Sequence, residues 1–179
     1  MNTQKIEDNS NTKGLFKIKQ IRNGIVIDEW ESPNLIVKEG RGYYQNAALD
    51  GLTQKAAWYL GLFAGARDPV DTDTGANVSA NSTEISEYDE ATREVWTPDA
   101  ALDDSTTYQT IISNSNNPAT FTLNDSVTIN GLFMASESTI DGSSGTSILI
   151  GETRFSSARS AISGDEIVVT YQINITGSV

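Results

Sequence analysis

The 179-residue chain contains neither histidine nor cysteine. That removes the usual general base near neutral pH, the thiol nucleophile and the two commonest zinc ligands. A Ser-His-Asp triad is excluded, and no disulfide framework is possible, so stability must come from packing or from association. Long apolar runs are also missing, and nothing approaches the roughly 20 residues of a membrane-spanning helix. Basic residues are scarce, 12 against 24 acidic ones. A formal charge of −12 lacks the basic footprint that direct contact with nucleic acid needs. The polar stretch Met1–Lys13 has no apolar core segment of the kind a secretory signal carries, so synthesis in a cytoplasm is the expectation.

The charge is unevenly placed. Residues 1–60 carry eight Lys/Arg and seven Asp/Glu, whereas residues 61–179 carry four and seventeen. The acidic body favours solubility and repulsion between copies, which leaves the near-neutral first third as the docking end.

What the chain does contain is a succession of short Thr-, Ser-, Ile- and Val-rich segments separated by Gly, Asn and Pro. Its length fits one domain plus an arm. Residues 1–13 read as an extended N-terminal arm, and residues 14–179 as a single β-domain. Asn23-Gly24 between two apolar runs predicts a hairpin over 14–31, because both central residues of a type I′ turn need positive φ. Ser32-Pro33-Asn34 then breaks the pattern. Residues 39–49 are the one helical candidate: Tyr43 and Ala47 share a face, Gly51 sits where a C-terminal cap belongs, and Gly40 and Gly42 weaken the first turn. The run from Trp58 to Ala64 is too apolar for a half-exposed strand and predicts a fully buried one. Residues 65–90 predict a long loop that gains structure on contact with a partner. Strand patterns return at 92–97, 106–113, 119–124, 127–136, 147–155 and 166–175. In the last, Val169, Tyr171, Ile173 and Ile175 share one face. The sum is a mainly β fold: an antiparallel β-sandwich with one short α-helix and an N-terminal hairpin and arm.

Candidate chemistry is thin. Asp71 and Asp73, with Asp68 and Asn77 nearby, have the oxygen ligands for Ca²⁺ but lack the acidic twelfth position of an EF-hand loop, and a solvated acidic loop is the simpler reading. Glu84, Glu87, Asp89, Glu90 and Glu94 crowd the approach to Trp96, the residue types a glycosidase would pair across a sugar. Trp30, Trp58 and Trp96 are core candidates, with Trp30 or Trp96 able to reach the surface at a strand end. No catalytic residue, cofactor or metal is assigned.

Four blocks, in order, resemble a group of small structural proteins of tailed bacteriophages. They are LIVKEG at Leu35–Gly40 with the Tyr-rich helix after it, AWYLGLF at Ala57–Phe63, YDEATR at Tyr88–Arg93 with Trp96, and RFSSA at Arg154–Ala158 leading to Gly164-Asp165 and the last strand. The group is similar to capsid decoration, or cement, proteins. The resemblance implies a jelly-roll-like sandwich and a non-enzymatic role on the virion surface, bridging neighbouring capsomers of the major capsid protein as a homo-oligomer, dimer or trimer. Residues 1–31 look like an extension beyond the shared part. Their charge makes Lys5, Lys13, Lys17, Lys19 and Arg22, with Trp30 at the hairpin's end, the expected shell-facing set. The alternatives are a tail, fibre or baseplate component that binds host glycan or another tail protein, and a carbohydrate-active enzyme using the 84–94 carboxylates.

Overall fold

The computed structural model describes residues 11–104, 109–142 and 144–177. These form ten strands and two helices: β1 (Asn11–Arg22), β2 (Ile25–Ile36), α1 (Lys38–Leu49), β3 (Trp58–Phe63), α2 (Val78–Ser82), β4 (Glu94–Trp96), β5 (Leu102–Asp104), β6 (Gln109–Ser113), β7 (Ala119–Thr122), β8 (Val127–Ala135), β9 (Leu149–Ala161) and β10 (Glu166–Thr176). Asn23 and Gly24 take φ of 52° and 75°, the left-handed values a two-residue hairpin turn demands, and β1 and β2 pair on either side of them.

The expected break at Ser32-Pro33-Asn34 does not occur. Pro33 stands opposite Leu15, and its carbonyl accepts the Thr153 hydroxyl at 2.8 Å on the side away from β1. N and C=O of one residue point the same way in a strand, so the missing N–H also lies away from β1 and no ladder bond is lost. The strand therefore runs on, and Leu35 and Ile36 pair with Glu152 and Gly151 of β9.

This continuation makes β2 the joint of the molecule. All strand pairs are antiparallel, in the order β4-β3-β8-β9-β2-β1-β10-β6-β5, with β7 also on β10. The path curls into a half-barrel around one core. Phe16, Ile18, Val169 and Tyr171 from one side meet Leu60, Leu62, Leu132, Met134, Ile150 and Phe155 from the other. Phe16 stacks on Tyr171 with ring centroids 4.2 Å apart. Trp96, on the terminal strand β4, donates Nε1 to the Tyr171 carbonyl of β10 at 3.1 Å, linking one end of the path to the third strand from the other. Ile175 continues the buried face of β10 but lies past the core and is exposed.

The segment expected as a loop at 65–90 is packed. It includes α2 and lies on the outer face of β3, β8 and β9, where Val78 joins Val37, Phe63, Phe133, Ala135 and Leu149 in a second apolar cluster. Ala64 N–H bonds Thr83 O at 2.9 Å, and Ile85 N–H bonds Leu62 O at 2.9 Å. Leu60–Phe63 is consequently buried on both faces, which explains its continuous hydrophobicity, while Trp58 and Tyr59 are half-buried.

Helix α1 begins one residue before its expected start. Val37 gives it no side-chain cap. Gly40 is required there because a Cβ would strike the Ile150 backbone, so this glycine sets the approach of helix to sheet. The strand expected at 106–113 overlaps β6, and residues 105–108 lie outside the described ones.

Candidate functional site

Asp165 organises one end of the molecule. It is wholly buried at the β9–β10 turn and accepts Gln20 Nε2 at 2.7 Å, Arg22 Nε at 2.7 Å and Nη2 at 2.8 Å, and the Ile162 N–H at 3.0 Å. The Arg22 hydrogen bonds, outweighing the opposing cost of burial, hold its carboxyl down at about 2. Its backbone carbonyl takes the Leu123 N–H at 2.9 Å, which ties in the β7–β8 turn as well. Three turns are thus clamped to one residue, two through its carboxylate and one through its backbone carbonyl.

At this end the hairpin tip and the β9–β10 turn leave apolar side chains exposed. Ile25, Val26 and Ile27 are 67%, 45% and 47% exposed, and Ile162 is 44% exposed. Three consecutive exposed aliphatics cannot arise on a strand covered on one face. They occur because β2 has β1 as its ladder partner along this stretch, while β9 pairs with it only at Leu35 and Ile36. Exposed apolar side chains at one end of the molecule make it the candidate contact surface.

The residues expected to face a shell fall in different settings. Lys5 lies outside the described residues. Lys17 and Lys19 point outward from β1 and pair across the hairpin with Glu31 at 3.7 Å and Glu29 at 3.1 Å. Such exposed pairs contribute about 0–1 kcal/mol each, but they cancel the local positive charge. Arg22 is committed to Asp165. Lys13 is exposed near the start of β1. Trp30 lies opposite Ile18 on the inner side, edge-on to Phe155 at 5.4 Å and beneath Arg159 at 4.9 Å. Its Nε1 is buried without a hydrogen-bond partner. Asn11 and the Asn23-Gly24 turn stand at opposite ends of β1, roughly 35 Å apart at ~3.3 Å per residue. The start of β1 and the hairpin tip are therefore two separate ends.

The acidic loop residues each meet an arginine or the backbone. Asp71 holds Arg41 at 2.7 and 3.0 Å, Asp68 holds Arg154 at 2.7 Å, Asp73 holds Arg67 at 2.8 Å, and Asn77 Oδ1 accepts the Thr74 N–H. Among the described residues no three His, Cys, Asp or Glu side chains gather in metal-ligating geometry. Of the carboxylates near Trp96, Glu84 is locked to Arg93, Glu90 accepts the Thr122 N–H at 3.1 Å, and Glu87 folds back on the Ser86 N–H. Burial, then the neighbouring Glu90 charge, raises Glu94 above its usual range. Trp96 is buried and Trp58 packs edge-on to Tyr43 at 5.1 Å.

An open groove of about 470 Å³ runs between α1 and the 71–74 segment, lined by Tyr43, Asn46, Leu52, Asp71, Thr72 and Ile148 among others. Under the packed segment lie two buried ionic groups that the sequence reading missed, Glu84–Arg93 with Ser79, and Asp73–Glu152 with Arg67. The available signal for Glu152 was a lone carboxylate closing the apolar run Ile148–Gly151. No protein-family model and no curated protein matches the sequence.

Proposed function

We propose that this chain is a non-enzymatic structural protein of a tailed-bacteriophage particle, which decorates the assembled capsid by docking on the major capsid protein where capsomers meet. The observation that carries the reading is the apolar end Ile25-Val26-Ile27 with Ile162, mounted on the Asp165 clamp. The four sequence blocks from Leu35 to the last strand support it. A protein that binds only the expanded lattice stabilises that lattice by mass action. A dimer or trimer would join adjacent capsomers, since the second attachment becomes intramolecular. The wide separation of the hairpin tip from the start of β1 suits such bridging, one end for the shell and one for a neighbouring copy. The acidic body keeps coated particles apart. In this reading the curled sheet is a jelly-roll-like sandwich, its two halves facing each other across the Phe16–Tyr171 core.

Cosedimentation with expanded empty capsids tests the docking end. The double variant Ile25→Asp/Ile27→Asp is expected to keep its thermal midpoint, because both side chains are exposed, and to lose most of its capsid occupancy. Undiminished occupancy would remove the tip from the interface. Deleting residues 1–10, which leaves β1 intact, tests the arm separately.

The groove beside α1 favours a second reading, a tail, fibre or baseplate component that holds host glycan against Tyr43 with Asn46, Asp71 and Thr72 as hydrogen-bonding groups. Antibody label over the whole head of the virion supports decoration. Label confined to the tail supports the second reading.

A further inference from the structure

We propose that residues 64–84 form a proton-dependent latch, closed over the outer face of β3, β8 and β9 while Asp73 and Glu152 share a proton, and released when the pair loses it. The inference is independent of the docking reading. Asp73 lies in the latch and Glu152 on β9 beneath it, 2% and 0% exposed respectively. One cation reaches both: Arg67 Nη2, also from the latch, is 2.8 Å from Asp73 Oδ2 and 3.8 Å from Glu152 Oε1. Two buried carboxylates thus face a single guanidinium, whose own side chain is about one-third exposed.

The remaining donors favour Asp73 as the ionised member. Asp73 accepts the Val70 N–H at 2.8 Å and Asn81 Nδ2 at 3.3 Å, whereas Glu152 receives only Ser82 Oγ, at 3.2 Å on Oε2. Glu152 Oε1 is buried with no donor directed at it, as expected of an oxygen that carries a proton toward Asp73. From the flanking strands Glu152 faces Leu35 of β2 and Phe133 of β8, which supply no charge. At the rim Asp68 and Arg154 satisfy each other, Asp71 is held by Arg41 of α1, and Arg93 is committed to Glu84. Among the described residues no other cation compensates a second buried anion.

Two buried carboxylates that share one guanidinium cannot both ionise without strong repulsion. Burial first, then the bond to Asp73 and its charge, pushes Glu152 up to about 8. Asp73 is lowered even though burial, its largest single influence, acts the other way; the bonds from Glu152, Val70 and Arg67 outweigh it. The titration belongs to the pair. Because the closed state holds a proton that an opened Glu152 releases at its ordinary 4.5, closure is favoured at low pH. It weakens as pH rises above 4.5, and the proton's contribution is gone above about 8. Opening would bare Phe63, Phe133 and Leu149, an apolar face of its own.

Hydrogen exchange on the full chain at pH 6.5 and 9.5, corrected for intrinsic rates, tests the latch. Peptides covering 64–84 are expected to show an opening constant roughly thirtyfold larger at the higher pH, with β10 peptides as the unchanged control. Glu152→Gln is expected to abolish the difference. Equal opening at the two pH values, or a wild-type response in Glu152→Gln, overturns the proposal. Should that variant fail to fold, carboxyl-carbon NMR of the wild-type chain decides. A Glu152 midpoint near 8 supports the latch, and one near 4.5 overturns it.

Discussion

Arg93 and Glu84 meet as a bidentate ion pair with both side chains wholly excluded from solvent, Nε to Oε1 at 2.6 Å and Nη2 to Oε2 at 2.8 Å. Arg93 also donates to the Glu137 carbonyl and to Ser79 Oγ, and it lies 4.8 Å above the Phe133 ring. Glu84 in turn accepts the Asp141 N–H at 2.9 Å. One pair therefore joins the 64–84 segment, the approach to β4 and the β8–β9 connection.

Arg93→Met removes the cation and leaves Glu84 buried without compensation. The expected loss is about 3–5 kcal/mol, measured by urea unfolding. Adding Glu84→Gln to Arg93→Met is expected to recover part of it, because the second change removes the stranded charge. A double variant no better than the single one would show that the pair's value lies in its shape rather than its charge.

Asp165 makes acid stability depend on one carboxyl. Its folded value of about 2 lies below the ordinary 3.8, so the folded chain holds fewer protons than the unfolded one in that interval. The contribution is full above roughly pH 4, about 2 kcal/mol for a shift of this size, and disappears as pH falls through 2. Asp165→Asn is expected to be less stable at pH 7 and to lose this part of the acid transition, read from unfolding curves between pH 2 and 5.

Asn114 fills a gap that no strand closes. Between the reach of β7 and that of β6 along β10, its Oδ1 accepts the Tyr171 N–H at 2.7 Å and its Nδ2 donates to the Val169 carbonyl at 3.2 Å, with the side chain wholly buried. Asn114→Ala leaves both backbone groups unpaired. At about 1–3 kcal/mol for each, the expected loss is several-fold larger than for a surface Asn→Ala such as Asn116, compared by thermal denaturation.

Gly24 holds φ of 75° with open space around it. Gly24→Ala is expected to cost about 1 kcal/mol from backbone strain alone, with no clash to relieve. A larger loss in chemical denaturation would point to a disturbed Arg22–Asp165 pair next to the turn.

Local chemistry made several elements legible. Asn23-Gly24 announced the hairpin because only such residues tolerate the turn. The Tyr43–Ala47 spacing and Gly51, at φ 69°, marked α1 and its end. The all-apolar Leu60–Phe63 reported burial on two faces before the covering segment was known. Where the reading fell short, the deciding partner was distant in sequence. Pro33 looked like a break until Thr153 showed which way its peptide faces. The 65–90 segment looked like a loop because its polar residues gave no pattern, yet those same residues are the ligands of Arg67, Arg93 and Glu152. Lys17 and Lys19 looked free because their glutamates enter only through hairpin register.

By itself the sequence determined a cysteine- and histidine-free, acidic, strand-dominated chain with a tight hairpin at its start, since composition, turn chemistry and side-chain period act between near neighbours. Tertiary structure alone decided that Arg22 finds Asp165 across 143 positions, that Glu152 lies beneath Asp73, and that Ile25–Ile27 is left exposed at the hairpin tip. Burial and ion pairing are properties of what folds against a residue, and no local pattern carries that information.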